Sequence, residues 1–129
     1  QRRFARALVA TAGDDIVHGH SSHHPRALGF HRGRLILYGC GDFLNDYEGI
    51  SGEERFRPDL TLGYLPDLEG GSGRLLGLTM LPFRLARFRL NRAGSEDVAW
   101  LSDNLTRQSE SFGAAVERSG DDALRLVWS

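Results

Sequence analysis

The run Leu35–Tyr38 places four apolar residues in succession, with Gly33 before it and Gly39 after it. A short apolar run bounded by turn residues is typical of a strand that is buried on both faces. Such a strand can exist only if other parts of the chain cover it. No apolar stretch approaches the roughly 20 residues that cross a bilayer, so the sequence predicts no membrane-spanning segment.

The remaining patterns predict a single α/β (α+β) domain over residues 1–129. A short helix is expected over residues 2–12, with Phe4, Leu8 and Ala12 on one face and Gly13 as its stop. A short strand over 14–17 and a polar loop over His18–Pro25 follow.

The second half of the chain is expected to be rich in strands. Residues 60–65 and 75–81 form strands joined by a hairpin over 69–73, and Pro82 ends the second strand or lies at a sheet edge. Residues 83–90 form another strand with a bulge near 85–86. Ser95 is expected to cap a helix whose buried stripe is Val98, Leu101 and Leu105. A last hairpin is expected at residues 119–122.

Composition excludes several kinds of protein. The 16 positive and 17 negative side chains leave a formal charge of −1, so general nucleic-acid binding is not expected. The single cysteine, Cys40, excludes an internal disulfide and a four-cysteine zinc site. The chain starts at Gln1 and its one methionine is Met80, so we expect further sequence upstream.

All five histidines of the chain lie within fourteen residues: His18, His20, His23, His24 and His31. Imidazole is a common metal ligand, and a Gly-His-x-x-His unit after a strand allows two rings to converge on one ion. Two ligands are too few for a metal site, and the further donors are Asp42, Asp46, His18 and His24. The alternative is a polar loop of solvated histidines.

Two segments resemble the CapA family of poly-γ-glutamate capsule biosynthesis proteins, which have a calcineurin-like metallophosphatase fold. Residues 15–25, DIVHGHSSHHP, resemble the family pattern D-x-V-x-G-H-S-x-H. Residues 34–43, RLILYGCGDF, resemble its I-x-Y-x-x-G-[ND]-F pattern, with Asp42 at the variable position. The resemblance covers residues 14–50.

The resemblance implies a β-sandwich with flanking helices and a site for two divalent ions, such as Mn, Fe or Zn. It assigns His20 and His23 as metal ligands. Asp42 is the catalytic candidate, orienting a histidine or a water, and its alternative role is to stabilise the turn after Gly41. Earlier superfamily motifs have no match here. The chain is therefore expected to be the C-terminal part of a larger domain and inactive alone, paired with the missing N-terminal part or with another copy.

The function implied by the resemblance is metal-dependent hydrolysis of a phosphorylated or polyanionic substrate, in bacterial poly-γ-glutamate capsule synthesis. The family is often associated with the cell envelope. One alternative is a non-catalytic protein of envelope or polymer assembly. Another is an isolated metal-binding module that places three or four ligands of this chain on one ion.

A basic stretch over Arg84–Arg92 has two interpretations. It could dock an acidic polymer or a phosphate, or it could be a solvated strand face paired with neighbouring acids.

Overall fold

The computed structural model describes residues 1–19, 23–42 and 57–128. Within them the fold is mixed α/β with two sheets, which confirms the predicted class. Its elements are α1 (Arg2–Ala7), continued by a π-helical turn (Leu8–Ala12), β1 (Ile16–His18), β2 (Leu28–His31), β3 (Arg34–Leu37), β4 (Leu60–Leu68), β5 (Leu75–Ala86), β6 (Arg89–Arg92), α2 (Ser95–Ser109), β7 (Ala114–Ser119) and β8 (Ala123–Trp128). No helix in these ranges is long and apolar enough to cross a bilayer.

The smaller sheet has the strand order β1-β3-β2, so the apolar run lies on its central strand. β1 runs parallel to β3, and β2 runs antiparallel to it. Leu35 and Leu37 join the main core, whereas Ile36 packs with Ala5 and Val9 of the first helix. Both faces of β3 are therefore covered, as the run of apolar residues predicted.

The first helix forms as predicted and ends at Gly13, which has a left-handed φ of 73°. Its predicted buried face was wrong. Ala5 and Val9 are buried, while Phe4 is 69% exposed. The small Ala5 side chain lets the helix axis approach the sheet, which a stripe of larger residues would prevent.

β2 was missed in the sequence, because Leu28-Gly29-Phe30-His31 contains no β-branched residue and a glycine interrupts it. The hairpin between β2 and β3 turns at Arg32 and Gly33, both with positive φ. This is the backbone shape of a tight hairpin turn that matches strand twist.

The larger sheet has the order β4-β5-β8-β7, with β6 also paired to β5. Its inner face packs against the predicted stripe of α2, where Val98, Leu101 and Leu105 are buried. The hairpins predicted near 69–73 and 119–122 are both present. Leu28, Leu35 and Leu37 of the smaller sheet belong to the same core cluster, which joins the two sheets.

Pro82 does not end β5; the strand continues to Ala86. The carbonyl of Pro82 accepts a hydrogen bond from Ala93 N, so its nitrogen faces the same side. On that side β5 pairs first with β8, at Thr79 and Met80, and then with β6, from Phe83 onward. Pro82 lies between these two partner strands, so its missing N–H removes no hydrogen bond of the sheet.

The predicted bulge near residues 85–86 was also wrong. The change of alternation marks a hairpin turn, in which Arg87 and Phe88 have φ of 52° and 55°. These residue types give no sequence signal for such a turn.

Ser95 is not the cap of α2. Gly94 occupies the N-cap position without a side-chain hydrogen bond, and Ser95 is the first helical residue. Its hydroxyl instead accepts a hydrogen bond from Arg118. At the other end of the helix, the Ser109 hydroxyl accepts a hydrogen bond from Leu28 N at 2.9 Å, which attaches α2 to β2.

Candidate metal-binding loop pair

The β2–β3 ladder continues past the ends of its strands. Tyr38 N donates to Ala27 O at 3.1 Å, and Arg26 N donates to Gly39 O at 2.9 Å. An isolated bridge then pairs Pro25 with Cys40. This extended ladder brings residues 23–24, before Pro25, beside residues 41–42, after Cys40. We call these two short segments the loop pair; each belongs to one of the two family-like motifs.

Two positions beyond that bridge, His23 and Asp42 face each other. His23 Nδ1 lies 2.8 Å from Asp42 Oδ2, and the two side chains are 43% and 28% exposed. Gly41 makes the approach possible, because it has a φ of 75° and a Cβ there would lie 3.1 Å from the His24 carbonyl carbon and from Pro25. The sequence named His23 and Asp42 in separate motifs, and the structure brings them together.

This contact determines how the imidazole is presented. A carboxylate beside Nδ1 favours the tautomer with the proton on Nδ1. The Nε2 atom then carries the lone pair, which is the arrangement found when a carboxylate orients a metal-ligating histidine. The donor chemistry of His23 and Asp42 is thus suited to a transition-metal ion.

The other predicted ligand, His20, lies outside the described residues, as does Asp46. Within the ranges 1–19, 23–42 and 57–128, no three His, Cys, Asp or Glu side chains form a group that could hold a metal ion. The predicted pairing of His20 with His23 on one ion, and the module with all ligands from this chain, therefore remain predictions.

Gly19, at the base of the histidine loop, packs closely against the end of β3. Its amide donates to Leu37 O at 2.7 Å, and a Cβ there would lie 2.7 Å from Tyr38 O. A side chain would therefore push the loop away from the end of β3. Glycine is required here by close packing of two backbones.

The groups next to the loop pair are held in their neutral forms. Burial raises the pKa of the Cys40 thiol. Burial, and secondarily the nearby Cys40, raises the pKa of Tyr64, whose hydroxyl donates to Cys40 O at 3.4 Å. Cys40 packs against the main core as a small apolar side chain.

The basic stretch Arg84–Arg92 lies elsewhere, on β5, β6 and their turn. Arg84 forms ion pairs with Asp59 at 3.3 Å and Asp97 at 3.8 Å. Arg92 stacks on Phe83 and donates to Asp121 O at 3.0 Å. These contacts agree with the solvated, paired strand face, and docking of an acidic polymer at this stretch remains a prediction.

Comparison with known proteins places the motifs in a family. Residues 1–47 match the family described as "Bacterial capsule synthesis protein PGA_cap". Two curated relatives from Mycobacterium tuberculosis, strains CDC 1551 and H37Rv, are each 50% identical over 124 residues, or 96% of this chain. Both carry the name "Probable polyglutamine synthesis accessory protein".

The chain spans 32% of the length of each of these relatives. The family match covers both motifs that form the loop pair, and the relatives extend the similarity across the larger sheet. The chain therefore belongs to the bacterial capsule synthesis family PGA_cap, the CapA family that its two motifs resemble.

Proposed function

We propose that this protein takes part in the synthesis of a glutamate-type capsule polymer and that its histidine loop contributes to a metal-dependent phosphoester hydrolase site. The family description and the names of the relatives support the role in polymer synthesis. The 2.8 Å contact between His23 and Asp42 is the observation that carries the proposed metal site.

In this proposal His20 and His23 hold the metal, and Asp42 positions the His23 ring by accepting a hydrogen bond from Nδ1–H. A bound divalent ion would supply an activated water and polarise a phosphoryl oxygen. The hydrogen bond to Asp42 also limits rotation of the ring, which lowers the entropic cost of ligation. Further ligands must come from outside the described residues.

Metal binding tests this proposal directly. In the protein carrying this chain with any sequence that flanks it, a His20→Ala/His23→Ala double substitution should weaken Mn²⁺ or Zn²⁺ binding by at least about 100-fold. Asp42→Asn, which keeps the shape of the side chain but removes its charge, should weaken binding by about 10-fold. Titration calorimetry and metal analysis after dialysis measure both effects.

His31→Gln is the matched control, since His31 lies at the opposite end of the same ladder, paired with Arg34. It should change metal affinity less than twofold. A double variant that retains as much metal as the parent protein would refute the proposed ligands.

A non-catalytic role in polymer assembly is the second candidate, and the word "accessory" in the names of the relatives favours it. The two candidates differ in one measurement. Hydrolysis of an aryl phosphate by the metal-loaded protein, abolished by His23→Ala, supports the hydrolase. Metal binding without hydrolysis of any phosphoester supports the assembly role.

A further inference from the structure

A cleft of about 310 Å³ opens between the start of α1, the Arg26–Ala27 segment and the end of α2. Its walls include the side chains of Arg2, Arg26, Tyr38 and Phe112, and no acidic residue of the described part of the chain lines it. Its volume lies at the lower end of the range for ligand pockets, roughly 300–1,000 Å³. The cleft can therefore take one amino-acid-sized group.

The positive charge in this cleft is not neutralised by the residues that the structure describes. Arg34, Arg57 and Arg84 form ion pairs, whereas neither Arg2 nor Arg26 has an acidic partner in the described ranges. Arg2 stacks on Phe112, with Cζ 4.8 Å from the ring centroid, and donates to Ser111 O at 3.5 Å. Stacking fixes the guanidinium plane and leaves most of its five donors for another acceptor.

The apolar floor of the cleft is built by close packing. The rings of Tyr38 and Phe112 lie with centroids 4.8 Å apart. A Cβ on Gly29 would lie 3.1 Å from Phe112 Cβ, so the absence of a side chain on β2 makes room for the ring pair. Burial raises the pKa of Tyr38 despite the opposing charges of Arg6 and Arg2, so its phenol stays a hydrogen-bond donor at neutral pH.

We propose that this cleft binds a free carboxylate of a γ-linked glutamate polymer, with Arg2 and Arg26 as its cationic partners. The choice of a γ-linked glutamate chain rests on the proposed function. Guanidinium groups bind carboxylates with paired hydrogen bonds, and the two methylenes of each γ-linked residue can pack on the Tyr38–Phe112 rings. Inorganic phosphate satisfies the charges but leaves this apolar floor uncovered.

The position of the cleft relates it to the loop pair. Arg26 follows His23 by three residues on the extended ladder, which corresponds to about 10 Å at ~3.3 Å per residue. Two or three residues of a bound polymer can span that distance. A chain held at Arg26 therefore passes close to His23 and Asp42.

Binding of a short labelled γ-linked glutamate oligomer, measured by fluorescence anisotropy with a metal chelator present, tests this site. The protein is again the chain with any flanking sequence. Arg2→Gln and Arg26→Gln should each weaken binding about 10-fold, and the double substitution should weaken it further. Arg107→Gln, an exposed arginine of α2 outside the cleft, should change binding less than twofold.

Two competitor ligands separate the possible causes. An oligomer of the same length and linkage whose free carboxylates are amidated should bind at least 10-fold more weakly, and inorganic phosphate should not displace the glutamate oligomer at equal concentration. Equal binding of the amidated oligomer, displacement by equal phosphate, or unchanged affinity in both single variants would overturn the proposal. Because the chelator removes metal, loss of metal binding in the histidine variants leaves this result unaffected.

Discussion

The two sheets of this protein differ in what supports them. The smaller sheet has three strands of three or four residues, and its outer face is covered by a cluster of only Ala5, Val9 and Ile36 with partly buried neighbours. The larger sheet packs with α2 into a cluster of sixteen buried residues. The family match lies on the first region, over residues 1–47. The region with the family motifs therefore depends on the other region for the burial of three of its apolar side chains.

This dependence arises from three leucines of the smaller sheet, Leu28, Leu35 and Leu37. They are buried in the larger core together with the stripe of α2. The same strands continue as the ladder that positions His23 and Asp42. Stability of the larger core should therefore control the geometry of the loop pair.

The largest expected difference between the regions is the cost of core truncation. Leu105→Ala, at a fully buried position of α2, should lower the free energy of unfolding by about 3 kcal/mol. Val9→Ala, in the small cluster, should lower it by about 1.5 kcal/mol, because this substitution removes less buried apolar surface. Urea unfolding followed by circular dichroism measures both values; equal costs would contradict this contrast.

The junction between the regions should be the next most sensitive point. The turn at Gly73 has a φ of 68°, and a Cβ there would overlap the Asp15 carboxylate and the Arg34 guanidinium, which form an ion pair at 2.7 Å. Gly73→Ala should therefore cost about 2 kcal/mol, from the left-handed backbone and the overlap.

Adding Asp15→Ala to the Gly73→Ala variant should restore the part of the unfolding free energy that was lost to overlap with the carboxylate. The part lost to the left-handed backbone should remain. Gly70→Ala, in the same hairpin, is the control, since no atom lies within 4 Å of a Cβ there. A double variant no more stable than Gly73→Ala would show that the two regions do not meet at this ion pair.

A smaller effect is expected from acid in the larger region. Although burial opposes ionisation, the hydrogen bonds and charge of Arg57, with the charge of Arg84, hold the pKa of Asp59 below its ordinary value of 3.8. A lowered folded-state pKa contributes stability that is present above pH 3.8 and is lost as the pH falls through the folded-state value. Unfolding midpoints between pH 6 and pH 2.5 should fall less in Asp59→Asn than in the parent; an identical pH profile would refute the contribution of Asp59.

Much of the fold could be predicted where local patterns and packing agree. The buried strand at Leu35–Tyr38, the stripe of α2 and the hairpins near residues 69–73 and 119–122 each carry an apolar period or turn residues. Predictions failed where contacts between distant segments allow a residue at a position that it usually avoids. Pro82 stays inside β5 because its missing donor faces the gap between β8 and β6.

The contact of His23 with Asp42 has a signal in the sequence, which is the register of the β2–β3 hairpin. The turn at Arg32-Gly33 sets the register in which β2 pairs with β3. Continued without a shift, that register pairs Pro25 with Cys40 and then His23 with Asp42. The cleft at Arg2 and Arg26 carried no comparable signal, because its residues come from α1, the ladder and the end of α2.

The sequence by itself determined the family, the mixed α/β class and the residue types of the proposed metal site, since motifs and periodicity are properties of neighbouring residues. Only the tertiary structure decided which side chains meet. The close approaches at Gly19, Gly29 and Gly41 and the shared core of the two sheets depend on contacts between segments far apart in the chain. Such contacts are set by packing and chain direction, which local patterns do not encode.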